Sequence, residues 1–134
     1  MSTQTPSPLA QLAKLSQDRF ALARQHQGFD DVRQYLMHTL SASHSSSDWL
    51  LIGTDGCHLC DTAWHIVHTA SHTTSHPPTI IKLDLADSHD PRLIDTLGTL
   101  IPILVTPVQL LCYPFGVLDI IKLLSDDKPS EKFA

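Results

Sequence analysis

Charge is scarce in this chain. Asp, Glu, Lys and Arg together make up 17% of its 134 residues, low for a soluble domain. The nine Lys and Arg residues are scattered, and without a basic cluster nucleic acid is excluded as an expected partner. Nor is there a basic amphipathic helix of the kind that lies on membranes. Cysteine is sparse as well. Three cysteines do not make the even, dense framework of a secreted disulfide scaffold. Read as an N-terminus, MSTQTPSPLAQLAKL lacks a charged segment followed by an apolar one, so it is not a secretory signal. The uncharged stretch from Thr96 to Leu118 reaches the roughly 20 residues that cross a bilayer. Pro102, Pro107 and Pro114 interrupt it, however, and each would break a helix. The expected location is cytoplasmic, with no membrane partner.

What the chain does have is enough apolar residue, 42%, to bury the core of one ordinary domain. Its formal net charge is -5. The stretch Ser41 to Asp48 (SASHSSSD) has only Ala42 as an apolar residue and reads as a linker. Before it, Leu9, Leu12, Ala13 and Leu15 begin a helical stripe that Phe20, Leu22 and Ala23 continue loosely and Gly28 interrupts. Asp30 and Asp31 suit a helix start, and Val32, Tyr35, Leu36 and Leu40 follow at helical spacing. One or two amphipathic helices are expected, with the first eight residues loose. We divide the chain into an N-terminal helical extension with its Ser-rich linker (1–47), a main domain (48–125) and a polar tail (126–134).

After the linker the periodicity changes. Trp49 to Ile52 (WLLI), closed by Gly53, reads as a buried strand. Cys57 to about Thr73 has helical spacing and stops before Pro77 and Pro78. Thr79 to Leu85 is a second strand, and Asp90-Pro91 opens a short helix that Gly98 ends. Ile103 to Thr106 and Gln109 to Tyr113 pair across a tight turn, and Gly116 to Leu124 is a last helix. Strand–helix–strand predicts a parallel pair, and the close final strands must be antiparallel. The fold class is therefore α/β: a four-stranded mixed sheet with helices on both faces.

The chemistry centres on Cys57-His58-Leu59-Cys60. The motif follows a predicted strand and opens a predicted helix. Free N–H groups and the positive dipole end there favour a thiolate and lower a cysteine from its free value of about 8.5. Cys57 would be the nucleophile, and Cys60, one turn on, would resolve the mixed disulfide. A protonated His58 between them would favour the Cys57 thiolate and face the substrate. A lone CxxC also reads as half of a zinc site or an inert pair. No second CxxC or CxxH accompanies Cys112.

Gly56-Cys57-His58-Leu59-Cys60-Asp61 resembles the GCHLCD/E motif of a family of small bacterial glutaredoxin-like proteins with the thioredoxin fold. Lys82 to Asp87 (KLDLAD) resembles that family's second strand, Gly98 to Leu104 (GTLIPIL) its G-x-x-I-P-V-L segment, and Tyr113-Pro114-Phe115 its WPF turn. The resemblance spans Trp49 to Leu124. It implies a thioredoxin-like fold, a cis bond between Ile101 and Pro102, and backbone at Ile101 and Pro102 that holds an extended substrate beside the dithiol. It implies thiol–disulfide exchange in cell redox homeostasis, on a disulfide-bearing protein or small thiol, with the redox-active disulfide as the only cofactor. The first strand has no acid where thioredoxins carry one. Tyr113 to Val117 replaces the Gly-Gly-x-Asp element of glutathione-binding glutaredoxins, and Gly116 stands where the family has Asp. Glutathione is therefore not the expected co-substrate. The alternative is a non-catalytic thioredoxin-fold module that binds a protein partner, or a metal through its two thiols.

His65, His68 and His72 fall at i, i+3 and i+7 on the helix that the dithiol begins. They sit one to three turns beyond Cys60, too far to share one site with it. The plainer reading is a solvated face, and no metal ligand is assigned. Cys112 reads as a small buried hydrophobe, and Trp64 as core or partial cover. The apolar stripe of the extension calls for burial within the chain or in a homodimer.

Overall fold

The computed structural model describes residues 7–18, 22–23, 28–40 and 47–127. Their order is α1 (Pro8–Asp18), β1 (Leu22–Ala23), α2 (Phe29–Leu40), β2 (Trp49–Gly53), α3 (His58–Ser71), β3 (Ile80–Asp84), a 3-10 turn at Leu85–Asp87, α4 (Pro91–Leu97), β4 (Ile103–Val105), β5 (Gln109–Cys112) and α5 (Val117–Asp127). Residues 1–6, most of the Ser-rich linker (41–46), Phe20 and the tail from 128 lie outside the described residues.

The helices begin where side chains accept otherwise orphaned N–H groups. Ser7 Oγ accepts from Ala10 N–H at 3.1 Å, and Asp90 Oδ1 accepts from Arg92 N–H at 3.0 Å with Pro91 in the first turn. Pro8 thus starts α1 rather than lying in a loose leader. The C-terminal helix runs to Asp127, beyond the expected end at Leu124.

Among the described residues the sheet has five strands, not four, in the order β1-β5-β4-β2-β3. Only β2 and β3 are parallel; β2–β4, β4–β5 and β1–β5 are antiparallel. The added strand is Leu22–Ala23, paired with Leu110 and Gln109. The sequence placed these two residues on a helical stripe. A strand of two residues is too short to show alternation, and its pairing is dictated by the open edge of β5.

Alternation along β2 sorts the core into two layers. Leu50 and Ile52 join Leu12 of α1, Phe29, Val32 and Leu36 of α2, and Leu93 and Leu97 of α4. Trp49 and Leu51 join Ala63, Val67 and Ala70 of α3 and Ile120 and Leu123 of α5. With both faces covered, β2 is apolar throughout. The N-terminal helices are therefore part of the sheet's own packing.

Polar contacts pin the first layer in place. Arg33 Nη2 donates to Asp48 O at 2.8 Å, Tyr35 Oη donates to Asp90 Oδ2 at 2.9 Å, and His89 N–H donates to Thr39 O at 3.1 Å. Among the described residues no helix is long and apolar enough to cross a membrane.

Candidate active site

The dithiol sits at the C-terminal end of β2, where the chain turns into α3. Gly53 ends the strand and Gly56, with φ at 73°, makes the turn that delivers Cys57; a residue with a Cβ would be strained there. Cys57 is the N-cap of α3. Its backbone is extended (φ -99°, ψ 109°) and its Sγ accepts from Cys60 N–H at 3.1 Å. An N-cap oxygen in other helices does the same work. Here the acceptor is sulfur, so the positive end of a helix dipole points at Cys57 Sγ. Cys57 and Cys60 form a disulfide, with Cα atoms 5.2 Å apart. Asp61, exposed in the first turn, is also favourably placed for the dipole.

The two sulfurs differ in what lies beneath them. Cys60 packs on the bare backbone of Gly53: a Cβ built there would lie 2.8 Å from Cys60 Sγ and 3.0 Å from its Cβ. The strand therefore seats Cys60 only because it ends in glycine. Gly56, by contrast, has open space around it. Leu59, between the cysteines, is 51% exposed. His58 is exposed at the first position of α3.

A pocket of about 190 Å³ opens beside Cys60. Its wall includes Gly53, Asp55, Asp61, Lys82 and Asp84. Parallel pairing of β2 with β3 sets Lys82 beside Leu51 and Asp84 beside Gly53, so the ends of both strands open on the same pocket. Asp84 is committed to structure. Its Oδ1 accepts from Thr54 Oγ1 at 3.1 Å and from Ala86 N–H at 2.9 Å, which caps the 3-10 turn. Lys82 Nζ lies 5.0 Å from the ring centroid of half-buried Trp64, a cation–π arrangement.

The other expected substrate contacts, Ile101 and Pro102, lie in the turn before β4, and the bond between them is cis. Antiparallel pairing brings Ile52 opposite Ile103. Continued by one residue, that register sets Pro102 across from Gly53, at the dithiol's end of the sheet. Pro102 O accepts from Tyr113 N–H at 3.0 Å, joining this turn to the second cis bond, Tyr113–Pro114. Ile101 and Pro102 are not part of the pocket wall beside Cys60.

Lys82 and Asp84 were read only as strand residues. The signal that finds them is topological. In a strand–helix–strand unit with parallel strands, the loops at both strands' C-terminal ends meet, so residues ending the second strand approach a motif that follows the first. Cys112, outside the disulfide, is half-buried rather than fully buried as expected, and packs against the first-layer core. Among the described residues no three His, Cys, Asp or Glu side chains are arranged to hold a metal ion. Set against family models, curated proteins and solved structures, the chain finds no match in any of the three.

Proposed function

We propose that the chain is a cytoplasmic thiol–disulfide oxidoreductase with a thioredoxin-like fold, of the small glutaredoxin-like kind found in bacteria. The observation that carries the reading is the Cys57 N-cap: a sulfur paired with Cys60 and accepting a helix N-terminal N–H. The mixed sheet, with the dithiol at the end of β2, an interior strand, supports the fold assignment.

The cycle begins with the dithiol reduced. Cys57 thiolate attacks one sulfur of a substrate disulfide, forming the Cys57–substrate bond and releasing the other substrate sulfur as thiolate. Cys60 thiolate then attacks Cys57 Sγ. The substrate leaves reduced by two electrons and the Cys57–Cys60 disulfide remains. A thiol reductant returns the two electrons. The substrate is a protein disulfide or the disulfide of a small thiol. His58 and the backbone of Ile101 and Pro102 border its approach, and no cofactor beyond the disulfide takes part.

The test is the alkylation rate of Cys57 in the reduced protein as a function of pH, read by mass spectrometry. The expected midpoint lies at least about one unit below the free thiol value of roughly 8.5. A midpoint at or above that value would overturn the reading and leave a binding module whose thiols hold a partner.

A further inference from the structure

We propose a second site on α3, remote from the dithiol: a two-histidine chelate for a divalent transition ion, formed by His68 and His72. The two rings lie one turn apart on an exposed face, with centroids 4.4 Å apart and planes tilted by 52°. For metal–nitrogen bonds of about 2.0–2.1 Å at right angles, two imidazole centroids sit roughly 4.5 Å apart. The rings are thus already at chelating separation.

The tautomer of His72 is fixed in the right sense. Its Nδ1 lies 2.7 Å from His68 O and 3.4 Å from Ser71 Oγ. A carbonyl can only accept, so Nδ1 carries the proton. Ser71 Oγ donates to the same carbonyl at 2.8 Å, leaving its lone pairs toward the imidazole. Nε2 is then the bare, basic nitrogen that binds a metal. A ligating histidine held through its other N–H by a backbone carbonyl is the usual outer-shell arrangement.

Two further features favour a cation here. His72 is the C-cap of α3, so the pair stands at the negative end of the helix dipole. On its other side His68 stacks against Trp64, with centroids 5.4 Å apart, which restrains the ring before any ion arrives. His65 lies outside this ladder of rings, which runs Trp64–His68–His72. Cys60 lies in the first turn of the same helix, but His72 is twelve residues on, about 18 Å along the axis. The ion therefore does not meet the sulfurs. With two imidazoles and the remaining positions taken by water, the site follows the general affinity order and takes Cu²⁺ ahead of Ni²⁺ or Zn²⁺.

The experiment is a Cu²⁺ titration of the full chain with the Cys57–Cys60 disulfide intact, followed by calorimetry and electron paramagnetic resonance. The expected result is a one-to-one site with hyperfine coupling to two nitrogens. His68→Gln and His72→Gln should each weaken it at least tenfold, while His65→Gln should leave it unchanged. All three positions are exposed, so circular dichroism should show the native fold throughout. Saturating Cu²⁺ should also raise the Tm of the parent chain and not that of His72→Gln, because an ion bound only to the folded state stabilises it. Equal Cu²⁺ affinity in the parent and His72→Gln, or equal weakening by His65→Gln, would overturn the site.

Discussion

The two faces of the sheet are built for different tasks. The face under α1, α2 and α4 is filled by large side chains, Phe29, Leu12, Leu36, Leu93 and Leu97 among them, and is tied down by Tyr35–Asp90, Arg33–Asp48 and His89–Thr39. On the face under α3 and α5, which holds Trp49, the helix α3 presents only Ala63, Val67 and Ala70 among its buried core residues. Small inward residues bring α3 close to the strand, which lets Cys60 rest on Gly53. One face is held by polar ties between its elements; the other carries the Cys57–Cys60 disulfide near the surface. Substitutions should separate the two.

The largest separation is expected from Cys57→Ser. Disulfide-reducing turnover should fall to the uncatalysed level, while unfolding of the reduced variant in urea should match that of the reduced parent. Retained turnover would reassign the nucleophile. The mirror case is Leu36→Ala on the opposite face. Deleting this fully buried side chain should cost about 2–5 kcal/mol in denaturant unfolding, with the pH midpoint of Cys57 alkylation unmoved. Coupling between the two readouts would show that the faces are not independent.

Gly53→Ala tests the seat itself. The new methyl would meet Cys60 Sγ at 2.8 Å, so the oxidised protein should lose about 1–3 kcal/mol to overpacking. The reduced protein, whose Cys60 is free to swing, should lose less. Equal losses in both redox states would mean that the strand, not the sulfur, feels the change.

The smallest effect belongs to the clamp at α4. Hydrogen bonds from the Arg92 guanidinium hold the Asp90 carboxyl at about 2, below its ordinary 3.8, with the Arg92 N–H and Tyr35 hydroxyl helping. A carboxyl depressed by folding stabilises the native state in full above its ordinary value. That contribution disappears as pH falls through about 2. Asp90→Asn should therefore flatten acid unfolding in this window: the small stability it removes is missing at neutrality, and parent and variant converge as pH falls through about 2. Arg92 is largely exposed, so the pair itself adds little stability.

Much of this was legible in residue order. The run WLLI, the CxxC at a helix start, the β-branched Ile80–Ile81 and the Asp90-Pro91 helix opening are local signals, and each element formed within a residue or two of its expected place. The dithiol was visible for the same reason, since spacing and helix start both lie within a few residues. What escaped was what strand pairing decides at a distance. Leu22–Ala23 became a strand because β5 had an edge to offer. Lys82 and Asp84 reached the dithiol because β3 lies parallel to β2 in one particular register.

The pairing of β1 with β5 also orders events in time. Leu22 and Ala23 are synthesised well before their partners Leu110 and Gln109. An edge joined by residues so far apart closes late, because the long loop must be ordered before the contact repays it. Until β5 emerges, the apolar faces of α1 and α2 have no completed sheet to cover, and β4, paired with β2 on one side, keeps its other edge open. A nascent chain of this protein is thus most exposed to aggregation just before its last hairpin is made.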